Sequence, residues 1–221
     1  MGNDKAKTQA RGERLEAMGA KNSKAHGVGA RVNRHDRSTP RLVPRVSRLA
    51  SVIFQTPWGW MGLSETTKGI DAVVLPKVSR QAVLSELQAA SVESQEGRSS
   101  PRLREAQAQL IGYLAGTRRS FDLPLDLSRG TSFQQKVWRT LRGISYGRLR
   151  SYQWVALRVG GRQYARAVGN AVGANPVPIV IPCHRIVAQD ASLGGFSGGL
   201  PIKRKLLTLE GTLDELRPER P

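Results

Sequence analysis

Residues 165–187 read ARAVGNAVGANPVPIVIPCHRIV. The second half of this stretch is apolar, braced by Pro176, Pro178 and Pro182, and it contains Cys183, the single cysteine of the chain. A lone cysteine in apolar surroundings is commonly an inert core residue. Three neighbours argue for chemistry instead. His184 stands beside Cys183 as a base, acting directly or through water. Pro182 is consistent with a helix beginning at Cys183, and a helix N-terminus favours the thiolate, which is the nucleophile. Arg185 adds local positive charge. A Cys-His pair alone is a weak signal, since adjacent side chains of a helix point apart. The first half of the stretch has small residues at Ala165, Ala167, Gly169 and Ala171, with Tyr164, Val168 and Val172 able to pack inward. A helix that reads the major groove carries long polar side chains, and this one does not. Its small face fits close packing in a core, or close approach to a backbone in a narrow minor groove.

Upstream, Thr131 is a good N-cap and Gln134 completes a capping box. Phe133, Val137, Trp138 and Leu141 then make a buried stripe. Tyr146 and Gly147 break the chain, Ser151 caps a helix over about 152–159, and Gly160 and Gly161 stop it. A third helix follows over about 163–172. Two short helices joined by a tight glycine turn resemble a helix-turn-helix. Nearer the start, Val52-Ile53-Phe54, Met61-Gly62-Leu63 and Ile70–Leu75 read as short strands, with turns at 56–59 and at Lys68-Gly69. Residues 77–89 fit a helix and 91–101 a polar loop. From Arg102 the apolar positions Leu103, Ala106, Leu110, Ile111 and Leu114 repeat at helical spacing, and Gly116 ends that helix. The segment FDLPLDL at 121–127 reads as an extended connector to a second domain.

The formal net charge of +18 suggests a polyanionic partner, nucleic acid before an acidic membrane surface. Residues 1–50 hold 12 Lys/Arg against 4 Asp/Glu, and residues 51–221 hold 23 against 13, so the tail does not account for all of it. The first 48 residues, rich in Lys, Arg, Gly, Ser and Asn, read as disordered. They fit a nucleic-acid-binding arm, a targeting segment, or an extension from a wrongly chosen start codon. One cysteine excludes an intramolecular disulfide and a cysteine-rich zinc site. No apolar run suggests a bilayer span or a signal peptide, so a soluble intracellular protein is expected. The expected domains are a basic tail at 1–50, an α/β domain at 51–127, a domain at 128–213 and a short tail at 214–221.

The pentapeptide at 181–185, IPCHR, resembles the signature of the O6-alkylguanine-DNA alkyltransferases, also called methylated-DNA–protein-cysteine methyltransferases. AGTRRSFDLPLDL at 115–127, GTSFQQKVW at 130–138, ISYGRLRSYQWVA at 144–156 and LGGFSGGLPIKRKLLTLEG at 193–211 resemble further family segments in family order. The resemblance is strong over 103–211, weaker over 52–102, and absent from the first 50 residues. It implies an α/β fold, with a small ribonuclease-H-like N-terminal domain. A helical C-terminal domain would hold the helix-turn-helix and the active-site cysteine. It also implies roles. Cys183 would accept the alkyl group. His184 would relay its proton through a water, oriented by Glu210, a position that otherwise reads as an exposed carboxylate. Tyr152 would donate to the guanine ring. Ser197 would line the base pocket near O6, and the carbonyls of Cys183 and Ile186 would accept from the guanine amino group. Arg166 would replace the flipped base in the stack, and Asn175 would brace the turn before the active-site strand. Phe196, Pro178, Lys203 and Arg185 join the positions facing base or DNA. With the resemblance, the small face of the third helix reads as a minor-groove surface.

The implied partner is double-stranded DNA, met from the minor groove with O6-alkylguanine flipped out, by a monomer with no membrane partner. No cofactor or metal is implied, and the zinc site of some members lacks its cysteines here. The compartment would be a bacterial or archaeal cytoplasm, near the nucleoid, or a eukaryotic nucleus. Activity on O4-alkylthymine stays open. Phe196 stands where some members have tyrosine, and Gly173-Ala174 where some have a basic residue and glycine. Two other readings compete. A non-catalytic alkyl-lesion sensor of the same fold would replace the cysteine, which is present. A sequence-reading helix-turn-helix regulator would want base-reading side chains on the third helix, and would leave Cys183 unexplained.

Overall fold

The computed structural model describes residues 49–90, 94–96 and 100–216. The readings of the basic tail and of the last five residues lie outside them. A four-stranded sheet comes first, in the order β3-β2-β1-β4: β1 (Leu49–Thr56), β2 (Gly59–Thr66), β3 (Gly69–Lys77) and β4 (Ser94–Glu96). β1, β2 and β3 are antiparallel, and β4 runs parallel to β1. Period-two alternation divides the side chains between the sheet's faces. Ile53, Trp60 and Val74 pack with Val83 and Leu87 of α1 (Arg80–Ala90). Phe54, Met61, Leu63, Val73 and Leu75 face α2 (Pro101–Leu114), whose stripe is Leu103, Ala106, Leu110 and Tyr113.

The expected strands form. Several boundaries differ. β3 continues through Lys77, so α1 starts later than expected, with Ser79 Oγ accepting from Ala82 N at 3.2 Å. The loop expected at 91–101 contains β4, whose backbone pairs with the edge of β1; nothing in SQE marks a strand without that edge. Ser100 caps α2 by accepting from Leu103 N. The connector at 121–127 does not run free: Ile70 N donates to Pro124 O and Asp126 N to Ile70 O, both at 2.9 Å. Gly69 lets the connector come this close, since a Cβ there would lie 2.5 Å from Pro124 O.

The second half is helical. The α3 helix (Ser132–Arg142) has the Thr131/Gln134 capping box, with Val137, Trp138 and Leu141 buried and Phe133 half-buried. A short parallel pair, β5 (Arg150–Ser151) with β6 (Ile186–Val187), flanks α4 (Tyr152–Val159) and α5 (Ala165–Gly173). Where the sequence suggested one helix from 163, a 3-10 turn over Arg162–Tyr164 precedes α5. Tyr164 does not pack inward: it is 41% exposed, its ring 5.7 Å from Phe133. Val168 and Val172 face the core as expected, but so does Ala171. Ala171 therefore leaves the expected small face, because α5 packs it against α3, where Trp138 Nε1 donates to Ala171 O at 2.7 Å. The last helix is α6 (Leu200–Leu209). One apolar cluster runs from the sheet through α2 into α3, α4 and α5, so both halves share a core. Among the described residues no helix is long and apolar enough to cross a membrane.

Candidate active site

The segment from Asn175 to Ile181 is a buried, irregular arch. Val73 N of the sheet donates to Pro176 O at 2.9 Å, and Ile181 N closes the arch on Val177 O. Ile179 sits at φ 75°, an unfavourable conformation for a β-branched residue. The surroundings must enforce it, and Asn175 is the brace. Its Oδ1 accepts from Val177 N at 3.0 Å, and its Nδ2 donates to Ile181 O at 2.9 Å and to Cys183 Sγ at 3.1 Å.

Cys183 begins only a short 3-10 helix and no α-helix. One 3-10 turn spans Cys183–Arg185, then Ile186 N bonds to Cys183 O and the chain enters β6. The expected thiolate is corrected with it. Burial pushes the Cys183 thiol up to about 11, only partly opposed by the hydrogen bond from Asn175, the Lys203 charge and backbone N–H groups. The resting sulfur is a protonated thiol.

His184 is fully buried. Burial holds its imidazole below the usual histidine range despite the opposing pull of Glu210, so the ring is neutral. Its Nε2 lies 2.8 Å from Glu210 Oε1, while Nδ1 has no hydrogen-bond partner among the described residues. Glu210, expected at the surface on residue type alone, is buried at the C-cap of α6. Burial raises its carboxyl, but hydrogen bonds from His184 and Arg185 more than reverse this and hold it at about 2. Arg185 Nε and Nη2 approach Glu210 at 2.8 to 3.1 Å, and Gly147 N donates to Oε2 at 3.1 Å. The hydroxyl of Tyr113, from α2, donates to Oε1 and lies 3.2 Å from His184 Nε2.

Tyr152 opens α4 and is half-buried against Gly194, where a Cβ would lie 3.3 Å from its ring. Burial and then the neighbouring Cys183 push its phenol up, so it stays a donor. A neutral thiol, a neutral imidazole pinned by a carboxylate, and a phenol donor suit attack by sulfur on an electrophilic carbon with proton transfer at both ends.

Residues 132–212 match the family described as 6-O-methylguanine DNA methyltransferase, DNA binding domain. The methylated-DNA–protein-cysteine methyltransferase of Methanosarcina acetivorans is 38% identical over 160 residues, 72% of this chain and 97% of that protein. The chain belongs to the methylated-DNA–protein-cysteine methyltransferase family. The constitutive methyltransferase of Bacillus subtilis is 45% identical over 121 residues, 54% of this chain and 73% of that one. Among solved structures, Mycobacterium tuberculosis OGT in complex with DNA superposes with a TM-score of 0.60 at 33% identity, covering 74% of this chain and 94% of that chain.

In this methyltransferase two basic residues expected to face base or DNA are buried. Arg185 is bound to Glu210 and to Ile144 O, so its charge is spent inside the site and adds no open positive field. Lys203 is fully buried, and its Nζ donates to the carbonyls of Ile186, Leu193 and Gly195. Burial pushes this lysine down to about 8. Cys183 O and Ile186 O each already accept one internal hydrogen bond. Pro178 is buried in the arch and Phe196 is half-buried. Ser197 is exposed on a groove of about 330 Å³ between β3 and the arch; Cys183 is not among the residues lining that groove. Arg166 is exposed on α5, and Gly169 and Gly173 have open space beyond them. The residue sequence reasoning missed is Tyr113. Its signal was available: it follows Leu103, Ala106 and Leu110 on the buried stripe of α2.

Since Lys203 ties β6 to the loop 193–199, Lys203→Met should cost about 1–3 kcal/mol of stability by orphaning its carbonyls. Thermal denaturation checks the cost, and hydrogen exchange should rise first at Gly194–Gly199.

Proposed function

We propose that this protein repairs DNA by moving an alkyl group from O6 of guanine to Cys183, once per molecule. The observation that carries the reading is the single cysteine in contact with Asn175 and followed by the buried His184–Glu210 pair. Sulfur attacks the alkyl carbon; the S–C bond forms and the C–O6 bond breaks. The thiol proton passes to His184 Nδ1, directly or through one water. Tyr152 donates toward the departing guanine and lowers the barrier to its release as an anion. The product is a thioether, which no neighbouring group can cleave.

We read α4, the glycine turn and α5 as a helix-turn-helix whose small outward face, Ala167, Gly169 and Gly173, lies in the minor groove. Support comes from the openness beyond both glycines. The sheet with α1 and α2 is read as the ribonuclease-H-like part, and the protein as a monomer. A stacked O6 is out of reach of a buried sulfur, so the nucleotide flips, at a cost of a few kcal/mol. Arg166 fills the gap. The lesion-sensor reading is disfavoured because Cys183 is present with its relay.

The test is a duplex carrying radiolabelled O6-methylguanine: label should move to the protein in a stoichiometric burst and then stop. Label staying on DNA would overturn the proposal. Arg166→Ala should slow duplex repair about tenfold or more in single turnover. Reaction with free O6-benzylguanine, which needs no flipping, should be almost unchanged. Equal losses on both substrates would reassign Arg166 to the fold or pocket.

A further inference from the structure

Helix α2 packs on the sheet, yet its penultimate residue reaches the relay. The stripe Leu103, Ala106, Leu110 and Tyr113 is buried, so packing on the sheet fixes where the Tyr113 ring lies. Phe121 tilts against that ring at 5.2 Å, and Tyr146 meets it edge-on at 6.0 Å. The hydroxyl then lies against Glu210 Oε1 and His184 Nε2, with the Arg185 guanidinium also close to it.

The proton count follows from the chemistry of the groups. Glu210 is ionised and accepts only. Tyr113 has one proton, given to Glu210, so its oxygen presents lone pairs toward Nε2. An unprotonated Nε2 would set its own lone pair against both oxygens, one of them 2.8 Å away. Nε2 therefore carries the ring proton, and Nδ1 is the basic nitrogen. Glu210 Oε1 takes hydrogen bonds from Tyr113, His184 and Arg185 together.

We propose that Tyr113 is a positioning residue for alkyl transfer: its hydroxyl holds the His184–Glu210 pair from the sheet side and keeps Nδ1 the free base. The proposal rests on the reading of His184 as the relay. By sharing Oε1, Tyr113 limits how strongly the carboxylate attracts a second proton to the imidazole. The other charged groups near His184 are Arg185 on its own turn and Lys203 and Glu210 on α6 and its C-cap. Tyr146 donates to Leu209 O instead. In this arrangement the sheet half supplies part of the reaction machinery, beyond scaffolding the cysteine domain.

Tyr113→Phe keeps the ring and removes the hydroxyl. With one donor fewer, Glu210 stabilises the imidazolium more, so the acid limb of the single-turnover pH profile should move to higher pH. The rate should fall roughly tenfold on that limb and less on the plateau. Nitrogen-15 NMR of the His184 ring should show its titration midpoint moving the same way. That readout needs no alkyl transfer, so it judges Tyr113 even if the repair reading fails. Tyr113→fluorotyrosine, which restores a hydroxyl, should return the midpoint toward wild type. An unmoved His184 titration would overturn the proposal. So would a loss equal at every pH and matched by a lower Tm, which marks packing alone.

Discussion

Cys183→Ala should take no label from O6-methylguanine duplex, while its DNA binding and Tm stay near wild type. The loss should be complete because no second thiol exists in the chain. The fold should survive because Asn175 keeps its hydrogen bonds to Ile181 O and Val177 N when the sulfur is gone. Intact-mass measurement of the wild type should show one added alkyl group, on Cys183, and no more with excess substrate. Several turnovers per molecule, or label on another residue, would sink the mechanism. The raised thiol makes a further expectation specific: a small alkylating reagent should modify Cys183 slowly at neutral pH and faster as pH climbs toward about 11. A thiol kept protonated until substrate arrives is spared from chance alkylation, which matters for a protein that acts once. The relay then supplies during attack what the resting sulfur lacks.

What the sequence made legible was local. Thr131 with Gln134, and Ser151 before α4, cap their helices through atoms at most three residues away, so a linear reading found them. The chemistry at Cys183 was legible as a motif and, through resemblance, as a family. Burial was not. Arg185 and Lys203 read as basic residues for a polyanion, because charge is written in the residue type. Glu210 and the three carbonyls that claim them lie 8 to 25 residues away. The same blindness produced the thiolate expectation, since desolvation depends on what the other segments cover. Ser94–Glu96 became a strand because β1 has an edge to pair with, and Tyr113 joined the site across 97 residues through the packing of α2.

Glu210→Gln should be the most damaging isosteric change in the protein. Glu210 answers Arg185, His184, Tyr113 and Gly147 at once, and the amide removes the charge that balances a buried guanidinium. Leaving one partner of a buried pair uncompensated costs about 3–5 kcal/mol. Alkyl transfer should fall about 100-fold or more, as for loss of a general base, because His184 loses the group that fixes its tautomer. Adding His184→Gln should cost little further, since the two act as one unit. The pH dependence gives an independent check. The carboxyl is held at about 2 in the fold against 4.5 as a free group, so the unfolded chain binds the proton more readily. Its stabilisation, roughly 3 kcal/mol, is full above the unfolded value and drains away as pH falls from about 4.5 to about 2. Wild-type denaturation should steepen through that window, and Glu210→Gln, already less stable, should lack that component. An acid limb identical in both proteins, or transfer by Glu210→Gln at the wild-type rate, would mean that the buried carboxylate is not what holds the relay.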